Sequence, residues 1–385
     1  MKEQKRNLYI LFFLFYLAAG SVEPVLSLIF HAKGIPLERI SFLAMLPRLM
    51  IFFAGPLWAA IADAFHIRKF ILPLTMALSI PFAIGISFPM SYILLLLVVL
   101  LFSINFAPVR SLCDGTAVAY LNKKSNEYGR IRAWGAVGYG TATLLVGFLA
   151  ERYGSQVALF VFSIAFALAA LVALRFSTPP QDEQIPYRKI LGKISKDKRW
   201  FVFLFSAFLV GISINLVINY LSVYVQELGA TSTQIGVTLA AGSLSAIPFF
   251  FISPIVLKRF DPLPVMRFSI IMMAVRLFLY FFVNNPLLFI FVQLLHGLSF
   301  SLYWSSGVLY AKQLIPHGFD SSGQALFVAM YFGLGGVVGG FLGGMLYAYL
   351  GARTMFLMGS LTALCALFVT LIPTRERNED LITNE

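Results

Sequence analysis

The chain of 385 residues is 59% hydrophobic and only 12% charged, with a net charge of +12 and a mean hydropathy of +0.85. Soluble domains carry about 25% charged residues, so this composition excludes an ordinary globular domain. It is typical of a protein that crosses a membrane several times. Basic loops at the membrane surface account for the positive charge, and a nucleic-acid partner is not needed to explain it.

Apolar stretches long enough to cross a membrane recur along the chain. A transmembrane helix needs roughly 20 mostly apolar residues, and such stretches lie at 8–30, 40–62, 69–88, 91–119, 130–150, 155–176, 200–225, 232–257, 264–283, 286–311, 321–347 and 353–373. The first follows a basic start, as a signal peptide would, but its apolar run continues to Phe30, so we expect it to be retained. The sequence therefore predicts an all-α membrane protein with twelve transmembrane helices.

Basic residues are distributed unevenly between the loops. With the N-terminus inside the cell, the basic residues assigned to outer loops are Lys33, Arg39, Arg152 and Arg353. The other loop lysines and arginines fall on the inner side. Because cytoplasmic loops are enriched in Lys and Arg, we expect both termini to be cytoplasmic and the protein to lie in the plasma membrane.

The two halves of the chain resemble each other. The polar segment 177–199 is predicted to be a cytoplasmic linker between an N-terminal bundle (1–176) and a C-terminal bundle (200–373), which a cytoplasmic tail (374–385) follows. Pro56 and Asp63 recur as Pro254 and Asp261, whereas Gly147, Gly154 and Ser163 recur as Gly344, Gly351 and Ser360. Parallel repeats of this kind place a solute site at their interface, near the middle of the membrane. We therefore expect two pseudo-symmetric six-helix bundles and a transporter.

Several ionisable side chains fall inside the apolar spans: Glu23, Asp114, Arg48, Arg110, Arg132 and Arg276. Charges at membrane depth usually face a cavity and mark function. Four arginines against two carboxylates leave an excess of two positive charges, which is expensive to bury uncompensated. We expect an anionic solute to complete this cavity, since guanidinium groups bind carboxylates in two-pronged fashion. The predicted cargo is a small organic anion, such as an aromatic carboxylate facing rings such as Trp134, Tyr139, Tyr303 and Trp304.

The partners of Arg110 and Asp114 remain open at this point. The two residues are four apart, so they share one helix face and could neutralise each other. Arg132 lies across a predicted hairpin from Asp114, at a depth that differs by about 6 Å at about 1.5 Å per residue, which an arginine can span. Arg132 could also be a cytoplasmic interfacial charge.

Proton coupling requires a group that gains and loses a proton during transport. Glu23, beside Pro24, is one candidate, because burial raises the pKa of an acid. Asp114 is a second, and His296, which titrates near neutrality, is a third. A hydrogen-bonded structural role for His296 remains open. Neutral contacts with the solute, or hydrogen bonds between helices, are expected from Asn215, Asn219 and Gln324.

The stretch "GPLWAAIADAFHIRKF" (55–70) resembles the loop signature of the major facilitator superfamily. Gly55, Asp63, Arg68 and Lys69 match this signature, whereas the glycine expected after the aspartate is absent. The resemblance implies that Asp63, Arg68 and Lys69 form a gating latch. An interfacial charge pair without a gating role is the alternative.

Three further stretches resemble the phenylpropionate permease branch of this superfamily, and the first of them more distantly resembles lactose permease. These are "NEYGRIRAWGAVGYG" (126–140), "QLLHGLSFSLYW" (293–304) and "SSGQALFVAMYFGLGG" (321–336). The likeness to lactose permease implies that Asp114, Arg132 and Tyr139 bind substrate and that Arg276 and His296 belong to the coupling site. Ser299 stands where that protein has an acid, so the resemblance implies proton symport without naming the proton carrier. We add Arg110, Arg276 and His296 to the expected substrate-binding residues.

The sequence therefore predicts a monomeric secondary transporter that imports a small solute with protons by alternating access. Symport of a sugar or nucleoside, drug/proton export, and a non-transporting membrane sensor remain alternatives. An enzyme is not expected, because neither H-E-x-x-H nor G-x-S-x-G occurs. Cys113 and Cys365 lie in different predicted helices and indicate neither a disulfide framework nor a metal site, and no cofactor is expected.

Overall fold

The computed structural model describes residues 2–64, 70–120, 125–176, 198–314, 323 and 326–373. Within these ranges the chain crosses the bundle twelve times, as predicted. The helices of the N-terminal half are Lys2–Val22 with Leu26–Ala32 (helix 1), Leu37–Ala64 (helix 2), Ile71–Ser87 (helix 3), Tyr92–Phe106 with Val109–Tyr120 (helix 4), Ser125–Tyr153 (helix 5) and Val157–Ala173 (helix 6). Those of the C-terminal half are Lys198–Glu227 (helix 7), Ser232–Arg259 (helix 8), Pro262–Phe282 (helix 9), Leu288–Gln293, Gly297–Ser301 and Leu302–Leu314 (helix 10), and Ala329–Leu334 with Gly335–Thr370 (helices 11 and 12).

The helices have the length and composition of membrane spans. In the described part of the chain, seven are long and apolar enough to cross a membrane, and three shorter ones are strongly apolar. Large apolar side chains such as Ile93, Phe148 and Leu171 are more than half exposed on the outer surface of the bundle. Such apolar side chains are suited to contact with lipid. A helix can face lipid because it satisfies its own backbone hydrogen bonds.

Glycines at corresponding turns of the two halves share a positive φ angle. Gly34 and Gly154 have φ angles of 75° and 80°, and their counterparts Gly229 and Gly351 have φ angles of 87° and 81°. Gly351 bends the chain between helices 11 and 12. These left-handed conformations favour glycine, because a Cβ atom is strained there. All four turns follow helices that end at the same side of the bundle, which we call the glycine-turn end.

Close helix packing is also repeated. A Cβ atom on Gly20 of helix 1 would lie 2.8 Å from the carbonyl oxygen of Tyr139 on helix 5. In the other half, Gly211 of helix 7 presses in the same way against the carbonyl of Tyr331 on helix 11. Such small-residue contacts let backbones approach in lipid. The predicted pseudo-symmetry of the two bundles is therefore confirmed.

At the glycine-turn end the two halves touch directly. A Cβ atom on Gly147 of helix 5 would lie 2.7 Å from the Cα atom of Gly236 on helix 8. Nearer the middle of the bundle, Ser222 of helix 7 donates a 2.7 Å hydrogen bond to the carbonyl of Pro24 on helix 1. The bundle is thus tightly packed between the halves at this end.

Four of the described helices are irregular, and helix 11 is one of them, because its segment Ala329–Leu334 is π-helical. Helix 1 is interrupted at 23–25, where Pro24 lacks an amide donor, and helix 4 is interrupted at 107–108, where Pro108 does the same. Helix 10 contains a π-helical segment at Gly297–Ser301. Its Gly297 amide donates to the Ser245 hydroxyl of helix 8 at 3.1 Å. Irregular turns of this kind are frequent at functional sites.

Some predicted residues lie outside the described part of the chain. They are Arg68, Lys69 and Gln324, together with the side chain of Asp63 and most of the predicted linker. The predicted gating latch therefore remains a prediction.

Candidate functional site

A central cavity lies between the two halves. It contains about 950 Å³ of space free of protein atoms, part of it open to solvent. Its wall from the N-terminal half is formed by Tyr16, Glu23, Pro24, Arg110, Arg132, Ala136 and Tyr139. Its wall from the C-terminal half is largely apolar and is formed by Ile214, Val217, Ile218, Leu239, Gly242, Ser243, Ala246, Phe250, Arg276, Gln293, His296, Phe300 and Phe332. The predicted solute-binding residues Arg110, Arg132, Tyr139, Arg276 and His296 all line it.

Glu23 is held by two arginines at the break in helix 1. The Nη2 atom of Arg110 lies 3.1 and 3.3 Å from the two carboxylate oxygens, and Nη1 of Arg48 lies 3.9 Å from Oε1. The side chains of Glu23 and Arg48 are only 11% and 9% exposed. The ion pair of Arg110 thus joins helix 4 to helix 1, whereas the sequence had left pairing with Asp114 on the same helix open.

Asp114 pairs with Arg132 across the hairpin of helices 4 and 5. The distance between Asp114 Oδ1 and Arg132 Nη1 is 3.5 Å, and Arg132 also donates to the hydroxyl of Tyr16. The guanidinium of Arg132 stands over the ring of Trp304 from the other half, 5.5 Å from its centroid. The reach expected from the hairpin geometry is therefore observed. Asp114 itself lies behind Arg132 and is not among the side chains lining the cavity.

Arg276 of helix 9 has only neutral partners in the described part of the chain. Its Nε atom donates to Tyr280 at 3.0 Å, Nη1 lies 2.9 Å from Nδ1 of His296, and Nη2 donates to Gln293. The residue is 1% exposed. Among the described carboxylates, none lies within 4.0 Å of its nitrogens. A buried guanidinium therefore lines the cavity, and no described carboxylate neutralises it.

This geometry assigns the tautomer of His296. An arginine can only donate hydrogen bonds, so Nδ1 of His296 must accept, and Nε2 then carries the proton of the neutral ring. The ring stacks on Phe300 with its centroid at 4.9 Å and an interplanar angle of 6°. His296 is thus neutral in this arrangement, because a second ring proton would point at Arg276.

The aromatic rings expected around the solute are only partly correct. Tyr139 lines the cavity, but Trp134 is 49% exposed on the outer surface beside Phe13. Tyr303 is fully buried inside the C-terminal half, stacked on Tyr331. These two positions were wrong because aromatic content does not show which face of a helix a ring occupies. Phe250, Phe300 and Phe332 provide the rings of the C-terminal wall instead.

The polar residues of helix 7 do not converge on the central cavity. The side-chain amide of Asn215 donates to the carbonyl of Gly211 at 2.8 Å, and that of Asn219 donates to Asn215 at 2.9 Å. Ser299 stands where the resemblance to lactose permease would place an acid. Its hydroxyl is fully buried and donates a hydrogen bond to the carbonyl of His296. Within the described ranges both asparagine bonds lie inside helix 7, so the interhelical bond considered from the sequence is not found there.

Sequence reasoning missed Tyr16 and Gln293. Tyr16 is seven residues before Glu23, and Gln293 is three residues before His296, so each pair shares one face of its helix. A polar group on the same helix face as a charged candidate, in an otherwise apolar stretch, was the signal available for both.

Comparison with known proteins gives a consistent result. The MFS_1 like family matches residues 5–358. The maltose permease of Geobacillus stearothermophilus is 27% identical over 95% of this chain and 94% of its own length. A putative nucleoside transporter of Escherichia coli (YegT) is 26% identical over 64% of this chain and 62% of its own length. The crystal structure of nucleoside transporter NupG superposes with a TM-score of 0.80 at 19% identity, covering 95% of this chain and 98% of that chain.

The family match extends over nearly the whole chain, and the solved structure shows the same fold. The expected superfamily and the expectation that the chain is not an enzyme are confirmed, whereas the phenylpropionate permease branch is not singled out by these relatives. The chain belongs to the MFS_1 like family and is a membrane-spanning transporter of the major facilitator fold.

Proposed function

We propose that this transporter imports a small organic anion together with protons across the plasma membrane, by alternating access and with both termini in the cytoplasm. The observation that carries the proposal is Arg276, a buried guanidinium in the cavity wall whose described partners are all neutral. Uncompensated buried charge is costly, and a carboxylate of the solute would remove that cost.

The surroundings of Arg276 favour an amphipathic anion. Three of its five N–H groups are used by Tyr280, His296 and Gln293, which leaves two for a ligand. The neighbouring wall from helices 7, 8 and 10 is mainly aliphatic and aromatic, including Val217, Phe250 and Phe300. A carboxylate with an apolar body would place its charge on Arg276 and its body against this wall.

Glu23 is the best candidate for the proton carrier. A solute carboxylate that enters the cavity can compete with Glu23 for Arg110, because both Glu23 and Arg110 line it. A Glu23 side chain that loses this partner keeps only the 3.9 Å contact to Arg48, and a proton on its carboxylate would replace the positive charge that Arg110 supplied. One carboxylate and one proton would then enter together and leave the charge of the network unchanged. His296 is the weaker candidate, since its protonation would break the bond to Arg276.

A sugar or a nucleoside is the second candidate solute. The permease of Geobacillus stearothermophilus, whose name assigns maltose, aligns with 95% of this chain, and the partial relative YegT is named as a putative nucleoside transporter. Paired acids and guanidiniums, such as those at Glu23 and Asp114, can also hydrogen-bond hydroxyl groups. This candidate leaves the charge of Arg276 without a counter-ion from the solute.

Uptake into proteoliposomes tests these proposals directly. Purified transporter is supplied with radiolabelled benzoate, lactate, maltose or uridine, with and without an imposed pH gradient. We expect accumulation of benzoate or lactate driven by the gradient, with an acidic exterior. Accumulation of maltose or uridine alone would instead support the second candidate, and accumulation that ignores the pH gradient would contradict proton coupling.

A further inference from the structure

A second cavity lies behind Glu23, mainly between helices 1, 2 and 4 of the N-terminal half, with Asn219 of helix 7 also in its wall. This side cavity contains about 620 Å³ of space free of protein atoms, part of it open to solvent. It is lined by Phe15, Val22, Glu23, Leu26, Ser27, Ala44, Pro47, Arg48, Ile51, Phe102, Phe106, Ala107, Arg110 and Asn219. Glu23 and Arg110 belong to both cavities, so their ion pair forms the partition between them.

The side cavity extends from this partition towards the glycine-turn end. Leu26 and Ser27 follow Glu23 on helix 1, which runs towards the turn at Gly34. Phe106 and Ala107 precede Arg110 on helix 4, which starts at the same end. Glu23 and Arg110, which line both cavities, separate this cavity from the central one.

The chemistry of the side cavity suits water and protons better than a solute. Its wall is mostly apolar, and its polar groups are Ser27, Asn219 and the three ion-paired residues Glu23, Arg48 and Arg110. A space with several polar partners can hold ordered water. The two guanidiniums on one carboxylate disfavour a metal cation at this position.

Charged or titratable side chains of helices 1, 2, 4 and 5 surround Glu23. Arg48 of helix 2 and Arg110 of helix 4 bind its carboxylate, and Tyr16 of helix 1 and Tyr139 of helix 5 interact with it electrostatically. The two guanidiniums compensate the charge of the Glu23 carboxylate while they are bound to it. A proton on the carboxylate would take over this compensation once a solute has drawn Arg110 away.

We infer that the side cavity is the route by which protons reach Glu23 and that it is separate from the central cavity that binds the solute. The solute approaches the Glu23–Arg110 pair from one side and the proton from the other. The proton adds to a carboxylate oxygen of Glu23 as Arg110 transfers to the solute. This inference rests on the proposed proton coupling and names the path that the coupling uses.

A matched pair of substitutions tests it. Ala107→Leu fills the side cavity, and Ala136→Leu places the same added bulk in the central cavity. The solute is whichever of benzoate, lactate, maltose and uridine the wild type accumulates. Two rates are measured in proteoliposomes: exchange of labelled for unlabelled solute without a gradient, and the solute-dependent proton influx reported by an internal pH dye.

For Ala107→Leu we expect proton influx and gradient-driven uptake to fall about tenfold, a change in barrier of about 1.4 kcal/mol, while exchange stays within about twofold of the wild type. Ala136→Leu should lower exchange and influx together. Ile51→Phe, a second substitution in the side cavity, repeats the test if Ala107→Leu does not fold.

Equal loss of exchange and influx in the side-cavity variants would make the side cavity part of the solute route, and unchanged influx in both would place the proton path elsewhere. Either result overturns the inference and leaves the proposed symport standing. Absence of any pH-driven uptake by the wild type would contradict the proposed symport itself.

Discussion

The N-terminal and C-terminal halves treat their buried arginines differently. In the N-terminal half Arg48 and Arg110 share Glu23, and Arg132 has Asp114. In the C-terminal half Arg276 is held by Tyr280, His296 and Gln293, none of which carries a negative charge in this arrangement. The backbones of the halves are nevertheless close repeats of each other.

This difference separates two tasks that a symporter must combine. A guanidinium with a carboxylate can exchange that partner for the solute, and the displaced carboxylate can then take up a proton. A guanidinium with neutral partners attracts an anion without displacing a charge. We therefore assign proton coupling to the N-terminal half and recognition of the anionic group to the C-terminal half, as proposals that substitutions in each half can break.

The largest effect is expected from Glu23→Gln. The substitution leaves Arg48 and Arg110 buried without their carboxylate, and breaking a buried ion pair costs about 3–5 kcal/mol. We expect pH-driven accumulation to disappear, whereas solute exchange without a gradient remains measurable. Glu38→Gln, at the start of helix 2, is the matched control and should accumulate solute normally. Normal accumulation by Glu23→Gln would remove Glu23 from the coupling mechanism.

Arg276→Gln tests the C-terminal half. The amide is neutral, so the solute loses its charged partner, and loss of one partner of a buried charged pair costs about 2–5 kcal/mol. We expect the KM for benzoate to rise about 30-fold or more, which corresponds to the lower end of that range. Arg267→Gln on the same helix is the control, because Arg267 bonds Thr370 away from the cavity. If the wild type does not transport benzoate and Arg276→Gln lowers maltose uptake, the result supports a sugar as the solute.

A smaller effect is expected from making the halves alike. Gln293→Glu would give Arg276 the carboxylate that its N-terminal counterparts possess. The guanidinium would then be occupied, and we expect the KM for benzoate to rise about tenfold, or about 1.4 kcal/mol. Gln293→Leu removes one hydrogen bond from the charged guanidinium, worth about 1.5–3 kcal/mol. It adds no competing carboxylate, so the guanidinium stays available to the solute and KM should rise less. A greater rise in Gln293→Leu than in Gln293→Glu would show that Gln293 acts by positioning Arg276 alone.

Features that depend on residues near each other in the chain were predictable from the sequence. Apolar periodicity and the repeat at Gly154 and Gly351 predicted the twelve helices and the pseudo-symmetry, because both follow from local composition and spacing. The pairing of Asp114 with Arg132 was also within reach, since a short hairpin fixes the relative depth of its two helices. These features depend on residues that are near each other in the chain.

Contacts between distant helices were not predictable in this way. Arg110 lies closer in sequence to Asp114 than to Glu23, yet its ion pair with Glu23 depends on how helices 1 and 4 rotate about their axes. The partners of Arg276 depend in the same way on helices 9 and 10, which placed Gln293 beside it. The exposed position of Trp134 also follows from helix rotation, which spacing within one helix does not determine.

The smallest effect concerns the shared backbone of the halves. Gly154→Ala and Gly351→Ala each place a Cβ atom on a residue with a φ angle near 80°, and no other atom lies within 4 Å of either added Cβ. The cost is therefore conformational, about 1–2 kcal/mol at each site. We expect the two variants to lower Tm in detergent by equal amounts. Gly85→Ala, inside helix 3, adds a Cβ atom 3.3 Å from a methyl group of Val98 but gains helix propensity, so it should lower Tm less than either. If Gly351→Ala is clearly the more damaging, the turn between helices 11 and 12 supports the C-terminal half in a way that its N-terminal counterpart does not. Equal shifts would mean that the halves share one scaffold and differ in their charged side chains, where the proposed division of tasks requires them to differ.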